Sequence, residues 1–364
     1  MQTYPLEQLD LDGAMELQFR LVEAIARHFD GHAILEAGDY GLWADTGRPH
    51  HTARVEATLA DLFGAEAACL VRGAGTGAVR STIMAAVKPG QELLLHQAPL
   101  YPTTHVTLEA MGLRPVFVDL NDPSALGEFP PTVSCALLQH TRQRMDDRYQ
   151  LAEVIRALKA SRPNLMVIVD DNYAAMRVPK IGIELGADVS TFSLFKLLGP
   201  EGVGCVLAGH DLAAKIHRQN YSGGTQVQGV EALEALRALT YAPVAWAVQS
   251  QVVEEVTRRL NSGEVVGVEQ AYVANAQSRV ILVKLDKPLA KGVVAASVQF
   301  GAADRPVGAE SRYEVAPLFY RISGTFRAEN PDLAERMIRI NPMRAGANLV
   351  IRILDKALEA CQGG

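Results

Sequence analysis

From about Thr52 onward, short apolar runs bounded by turn residues alternate with longer stretches in which apolar residues recur at helical spacing. AACLVRG, ELLLH, RPVFVDL, VSCALLQ, LMVIVD, DVSTFS and VGCVLAG have the length of strands, and helices are predicted through Met84, over HVTLEAMG and over LAEVIRALKA. Strands separated by helices predict a mostly parallel sheet covered on both faces, hence an α/β core. Ahead of this region, Asp12 to His28 carries Leu17, Leu21, Ala24 and Ile25 on one face of a predicted helix, and a Gly-rich segment follows. Gln228 to Leu260 is a long helical pattern, interrupted at Pro243, that bridges two lobes. Beyond it, RVILVKL, VAASVQF and MIRINPM read as strands, and ANLVIRILDKALEA closes the chain as an amphipathic helix. The expected organisation is an arm over residues 1–51 contributing to a small domain, a large domain over 52–245, and a small α+β domain over 246–364.

Charge and composition narrow the partners. The net charge of -6 over 364 residues is spread without a basic tract, so nucleic acid is not an expected partner. Cys69, Cys135, Cys205 and Cys361 are far apart and lack CxxC spacing; no metal site is expected, and free thiols point to a reducing compartment. The start MQTYPLEQLDLDG has neither a basic nor an apolar leader, and no segment reaches the ~18 apolar residues of a membrane span. A cytoplasmic protein is expected, with a small molecule as its partner.

Ligands of open α/β sheets bind at the carboxyl ends of the strands, so the residues just after each apolar run are informative. Gly75, Thr76 and Gly77, in the turn Gly73 to Gly77, follow AACLV and open a helix whose N–H groups can receive a phosphate; a plain steric turn reads equally well. The GxGxG spacing and the position of Glu92 depart from a dinucleotide fingerprint. Asp170 ends LMVIVD, with Tyr173 three residues on; the pair can hold a cationic ring, or can be a helix cap. Lys196, flanked by Phe195, Leu197 and Leu198, has poor neighbours for a solvated ammonium, and desolvation favours the free amine that forms a Schiff base. Tyr101, in LYPTT, offers a face for stacking or simply packs. Phosphate cradle, aromatic platform, acid and reactive amine are together what pyridoxal phosphate requires.

In the order and spacing of these parts the chain resembles the fold-type-I pyridoxal-phosphate enzymes, the aminotransferase superfamily, over nearly its whole length. FKLLGPEGVGCVLAG is similar to the HKLLGPxGxG segment of class V aminotransferases and cysteine desulfurases, with Phe195 in place of their His. LYPTT and GRPHHTARVEATLADLFGAEAACLV resemble the cystathionine-lyase-like branch, and QHTR resembles its uncharacterised bacterial aminotransferase-like members. The resemblance implies a seven-stranded, mostly parallel sheet between helices plus a smaller α+β domain. It implies that Lys196 forms the Schiff base and moves the α-proton, Asp170 keeps the ring nitrogen protonated, and Tyr173 hydrogen-bonds the ring hydroxyl. Tyr101 would stack on the ring, while Gly75, Thr76, Gly77 and Ser193 of the SxxK pattern would hold the phosphate. Arg339 in MIRIN, with Arg321 in YRIS as its rival, would take the substrate carboxylate. Tyr221 to Gly229 resembles a loop that reaches a neighbouring subunit's phosphate, which implies a homodimer. An aminotransferase acting on an amino acid is the expected function; a carbon-sulfur lyase by β- or γ-elimination is the alternative, and an NAD(P)-binding oxidoreductase would rest on the Gly-rich turn alone.

Overall fold

The computed structural model describes residues 2–222, 224–276, 278–307, 310–322, 327 and 331–362. The chain divides into two compact units, one of residues 12–141 and 148–244, the other of residues 1–11, 142–147 and 245–364.

The larger unit is built on β1 (Ala67–Arg72), β2 (Glu92–His96), β3 (Arg114–Val118), β4 (Cys135–Gln139), β5 (Met166–Asp170), β6 (Val189–Ser193) and β7 (Val203–Ala208), in the order β1-β7-β6-β5-β4-β2-β3. All neighbours pair in parallel except β7, which runs against both β6 and β1. The continuous apolar runs have a simple cause: Leu93, Leu95, Leu137 and Ile168 enter the core on one face, while Leu94, Ala136, Leu138, Val167 and Val169 enter the core on the other. The helices of this unit are α1 (Leu11–His28), α2 (His50–Phe63), α3 (Ala74–Ala86), α4 (Pro102–Ala110), α5 (Leu151–Ser161), α6 (His210–Gln219) and α7 (Gly229–Leu239). The first face is covered by α3 and α6, the second by α5.

The predicted break in the long helical run falls between α7 and α8 (Ala242–Asn261), with Pro243 in the first turn of α8, where its missing N–H costs no helical bond. The smaller unit holds a four-stranded antiparallel sheet of β8 (Val268–Ala276), β9 (Ser278–Leu285), β10 (Leu318–Arg321) and β11 (Met337–Asn341), ordered β10-β11-β9-β8. VAASVQF is not a strand: it lies in α9 (Ala290–Ser297) and a following short 3-10 turn. Ala290, Val293 and Ser297 are its buried residues, a helical spacing that a short Val- and Ala-rich run conceals. A further short helix, α10 (Leu333–Arg336), precedes β11, and α11 (Ala347–Gln362) closes the chain. Ile281, Val283, Phe319, Ile338 and Ile340 pack on the face shared with residues of α8, α9 and α11, so Met337, Arg339 and Asn341 point to the other face. No helix among the described residues is long and apolar enough to cross a membrane.

Candidate active site

Every strand of the larger sheet except β7 ends at one edge, and residues that follow β1, β2, β4, β5 and β6 there carry the candidate groups. Gly73 (φ 93) caps α3, and the Gly202 carbonyl accepts from the N–H groups of Gly73 and Ala74. The Gly77 N–H returns to the Gly73 carbonyl, which leaves those of Gly75 and Thr76 at the positive end of the helix without a backbone partner among the described residues. No side chain fits at these glycines: a Cβ at Gly75 would meet the Asn172 amide at 2.2 Å, and one at Gly77 the Arg72 carbonyl at 1.8 Å. Thr76 donates its hydroxyl to Thr103 at 3.1 Å.

Asn172, which the sequence did not single out, ties the cluster together. Its Nδ2 donates to Asp170 Oδ1 at 2.6 Å, and its Oδ1 accepts from the Ser193 N–H at 3.1 Å and from Lys196 Nζ at 3.4 Å. Lys196 Nζ also lies 4.0 Å from the centre of the Tyr173 ring, and its backbone N–H approaches Ser193 Oγ at 3.4 Å. Burial raises the pKa of Asp170, opposed by the charge of Lys196. Tyr101 caps α4; burial first, and the charge of Asp170 second, push its phenol up. Ala74 (φ 53), Tyr173 (φ 64) and Leu198 (φ 68) hold left-handed backbone within three residues of Gly75, Asp170 and Lys196. Each costs on the order of 1 kcal/mol, a strain that persists where the surroundings overdetermine the position.

The neighbouring Asp171 has a different task. It is fully buried, takes His140 Nδ1 at 2.6 Å and accepts from the Gly182 N–H, so it anchors the loop after β5 and leaves Asp170 at the edge. His140 lies in the QHTR stretch, but motif reading assigned it no role.

The two arginines lie in the smaller unit. Arg339 on β11 is partly buried, its guanidinium carbon 4.0 Å from the centre of the Tyr320 ring, and its Nε is enclosed without a hydrogen-bond partner among the described residues. Arg321 at the end of β10 is exposed. Of the loop Tyr221 to Gly229, residue 223 lies outside the described residues; Tyr221 is exposed and Gln226 buried.

Another polar cluster sits beneath β1. Glu56 of α2 accepts from the Leu70 N–H at 2.8 Å and pairs with Arg48 at 2.5 Å; His217 Nε2 is 3.7 Å from it and 3.4 Å from Cys69 Sγ. Burial raises the Cys69 thiol far above its usual range and, with Arg48 adding to it, lowers His217 to about 4, so this Cys-His contact holds a neutral thiol and a neutral ring. Burial outweighs Arg48 and pushes Glu56 up to about 7. A carboxyl whose folded pKa exceeds its unfolded value contributes most below the unfolded pKa, and that contribution is lost as pH rises toward 7. Relative to Glu56→Gln, the native chain is expected to lose up to about 3 kcal/mol between pH 5 and pH 8, read from thermal unfolding midpoints of both proteins. A constant difference across that range would show that Glu56 stays ionised against Arg48.

The model of the family "Cys/Met metabolism PLP-dependent enzyme" matches residues 39–266, and the "YhfS-like, C-terminal domain" model matches 254–354. The chain is 50% identical to the uncharacterised Escherichia coli protein YhfS over 360 residues, 98% of this chain and 99% of that one. The crystal structure of that pyridoxal-5'-phosphate-dependent protein superposes with a TM-score of 0.96, covering 99% of this chain and 100% of the other. L-methionine gamma-lyase of Pseudomonas putida is 29% identical over 172 residues, 45% of this chain and 42% of the lyase. The methionine gamma lyase CalE6 of Micromonospora echinospora shares the fold, with a TM-score of 0.72 at 18% identity over 94% of this chain and 98% of that one.

Proposed function

Because the chain belongs to the Cys/Met metabolism PLP-dependent enzyme family, whose cofactor is pyridoxal phosphate, we propose that it is a carbon-sulfur lyase that breaks down a sulfur-containing amino acid. The observation that carries this reading is the family match over 39–266, a span that includes the Gly-rich turn, Tyr101, Asp170, Ser193 and Lys196. The match to a methionine gamma-lyase supports the same choice over the transamination expected from the motifs. The oxidoreductase alternative, which rested on the Gly-rich turn, gives way to the family's own cofactor.

The residues fit that cofactor. Gly75 and Gly77 keep the mouth of α3 free of side chains for a phosphate, with Thr76 and Ser193 as hydroxyl donors. Asp170, whose burial disfavours an isolated charge, is matched by a cationic ring nitrogen, and Tyr173 by the ring hydroxyl. Tyr101 supplies a stacking face. Bound there, the cofactor supplies an electron sink that makes the α-proton of an amino acid removable. Lys196 would hold the cofactor in the resting protein; with substrate bound, its freed Nζ takes the proton from Cα and hands it to the departing sulfur, so that breaking the carbon-sulfur bond releases a neutral thiol. Arg339 is the carboxylate receiver of choice: it is partly enclosed and meets no protein anion among the described residues, whereas Arg321 stands in solvent. A homodimer belongs to the same reading, supported by the exposed apolar side chains of Leu35, Tyr40, Trp43 and Tyr221.

The test is product formation from L-cystathionine, L-methionine and L-cysteine with no 2-oxo acid added. Continuous release of thiol, ammonia and a 2-oxo acid in equal amounts is expected. Turnover that occurs only with an added 2-oxo acid, and yields its amino acid, would instead establish a transaminase.

A further inference from the structure

We infer that Tyr320 is the positioning residue for the substrate carboxylate, holding the Arg339 guanidinium by its face so that its N–H edge stays open. The inference rests on the reading of Arg339 as the group that receives that carboxylate. Tyr320 and Arg339 are directly opposite each other on β10 and β11, so their side chains leave the sheet on the same face. The guanidinium carbon lies 4.0 Å from the ring centre, inside the range of a cation-π contact.

How the arginine is held decides what it can still do. A protein carboxylate would fix the guanidinium by occupying the very N–H groups a ligand needs. An aromatic face fixes its plane and consumes none of them. Among the described residues Arg339 has no such acid, and its enclosed Nε has no acceptor.

The ring is in turn held from behind. Ser278 and Asn341 act on the Tyr320 hydroxyl, each opposing the rise in its pKa that burial causes. Asn341, fully buried, donates its amide to Glu310, which also accepts from Gln249 at 2.9 Å; Glu310 and Gln249 are each 3% exposed. Glu310, whose charge acts on the phenol, thereby accepts from two amides.

The experiment uses the holoprotein and compares L-methionine with 3-(methylthio)propylamine, the same molecule without its carboxylate. Binding is read from the change in the visible band of the bound cofactor, and KM and kcat are measured separately. Tyr320→Leu is expected to raise KM for L-methionine roughly tenfold with kcat nearly kept, and to leave binding of the amine unchanged. Arg339→Gln is expected to raise KM further, and Tyr320→Leu on that background to add nothing. Stepwise ring-fluorinated analogues of Tyr320→Phe keep the shape and weaken only the ring's attraction for a cation, so KM should climb with each fluorine even if the Leu variant does not fold. A flat fluorine series, or equal losses for amino acid and amine, overturns the role of Tyr320. Arg339→Gln protein that binds L-methionine normally overturns the reading of Arg339 itself.

Discussion

Lys196→Ala protein is expected to lose covalent attachment of the cofactor completely, and with it at least about a thousandfold of the turnover number. Borohydride reduction of the native holoprotein should abolish the visible band and leave the pyridoxyl mass on the peptide that contains Lys196; the variant should show neither band nor mass. The size of the effect follows from the geometry. Among the described residues, Lys196 Nζ is the amine that shares Asn172 Oδ1 with the Ser193 N–H, while Asn172 Nδ2 reaches Asp170. No other lysine among the described residues is tied to that amide, so no second amine is expected to substitute. A pyridoxyl mass on a different peptide would remove the basis of the proposed site.

Asp170→Asn separates holding the cofactor from using it. The amide is nearly isosteric, and one side-chain oxygen remains to accept from the Asn172 N–H, now at 3.0 Å, so folding and attachment at Lys196 should survive. What disappears is the negative charge that keeps a ring nitrogen protonated, and a preorganised charge in such a site contributes roughly 10² to 10³ in turnover. The expected result is a coloured, borohydride-reducible protein that turns over at about one percent of the native rate or less, with KM little changed. Near-native turnover would assign the role to Asp171, whose burial against His140 and Gly182 argues for an anchor.

The larger sheet was legible because most of its strands, such as ELLLH, CALLQ, MVIVD and VGCVLA, are contiguous apolar runs buried on both faces, although β3 at the edge exposes Arg114, Pro115 and Phe117. The Gly-rich turn and Lys196 were legible for a related reason: steric need and apolar neighbours leave local marks. Asn172 left none. An amide after two aspartates looks like any turn, and its meaning appears only when β5 and β6 pair and bring the Ser193 N–H to its oxygen. The cluster of Arg48, Glu56 and His217 was hidden in the same way, since His217 on α6 comes from a part of the chain far from Arg48 and Glu56. VAASVQF misled because so short a run fits either period, and the choice was made by packing in the smaller unit.

The single reversed strand also has a bearing on how the protein is made. The carbonyl of Gly202 that fastens the amides of Gly73 and Ala74 is translated about 130 residues after them, and β7 must insert between β1 and β6 before that fastening exists. A nascent chain that has emerged only as far as β6 therefore carries an unclosed gap in its sheet and an unformed anion seat. Truncations ending before Gly202 are therefore expected to be colourless with added vitamer and prone to association through the open strand edges.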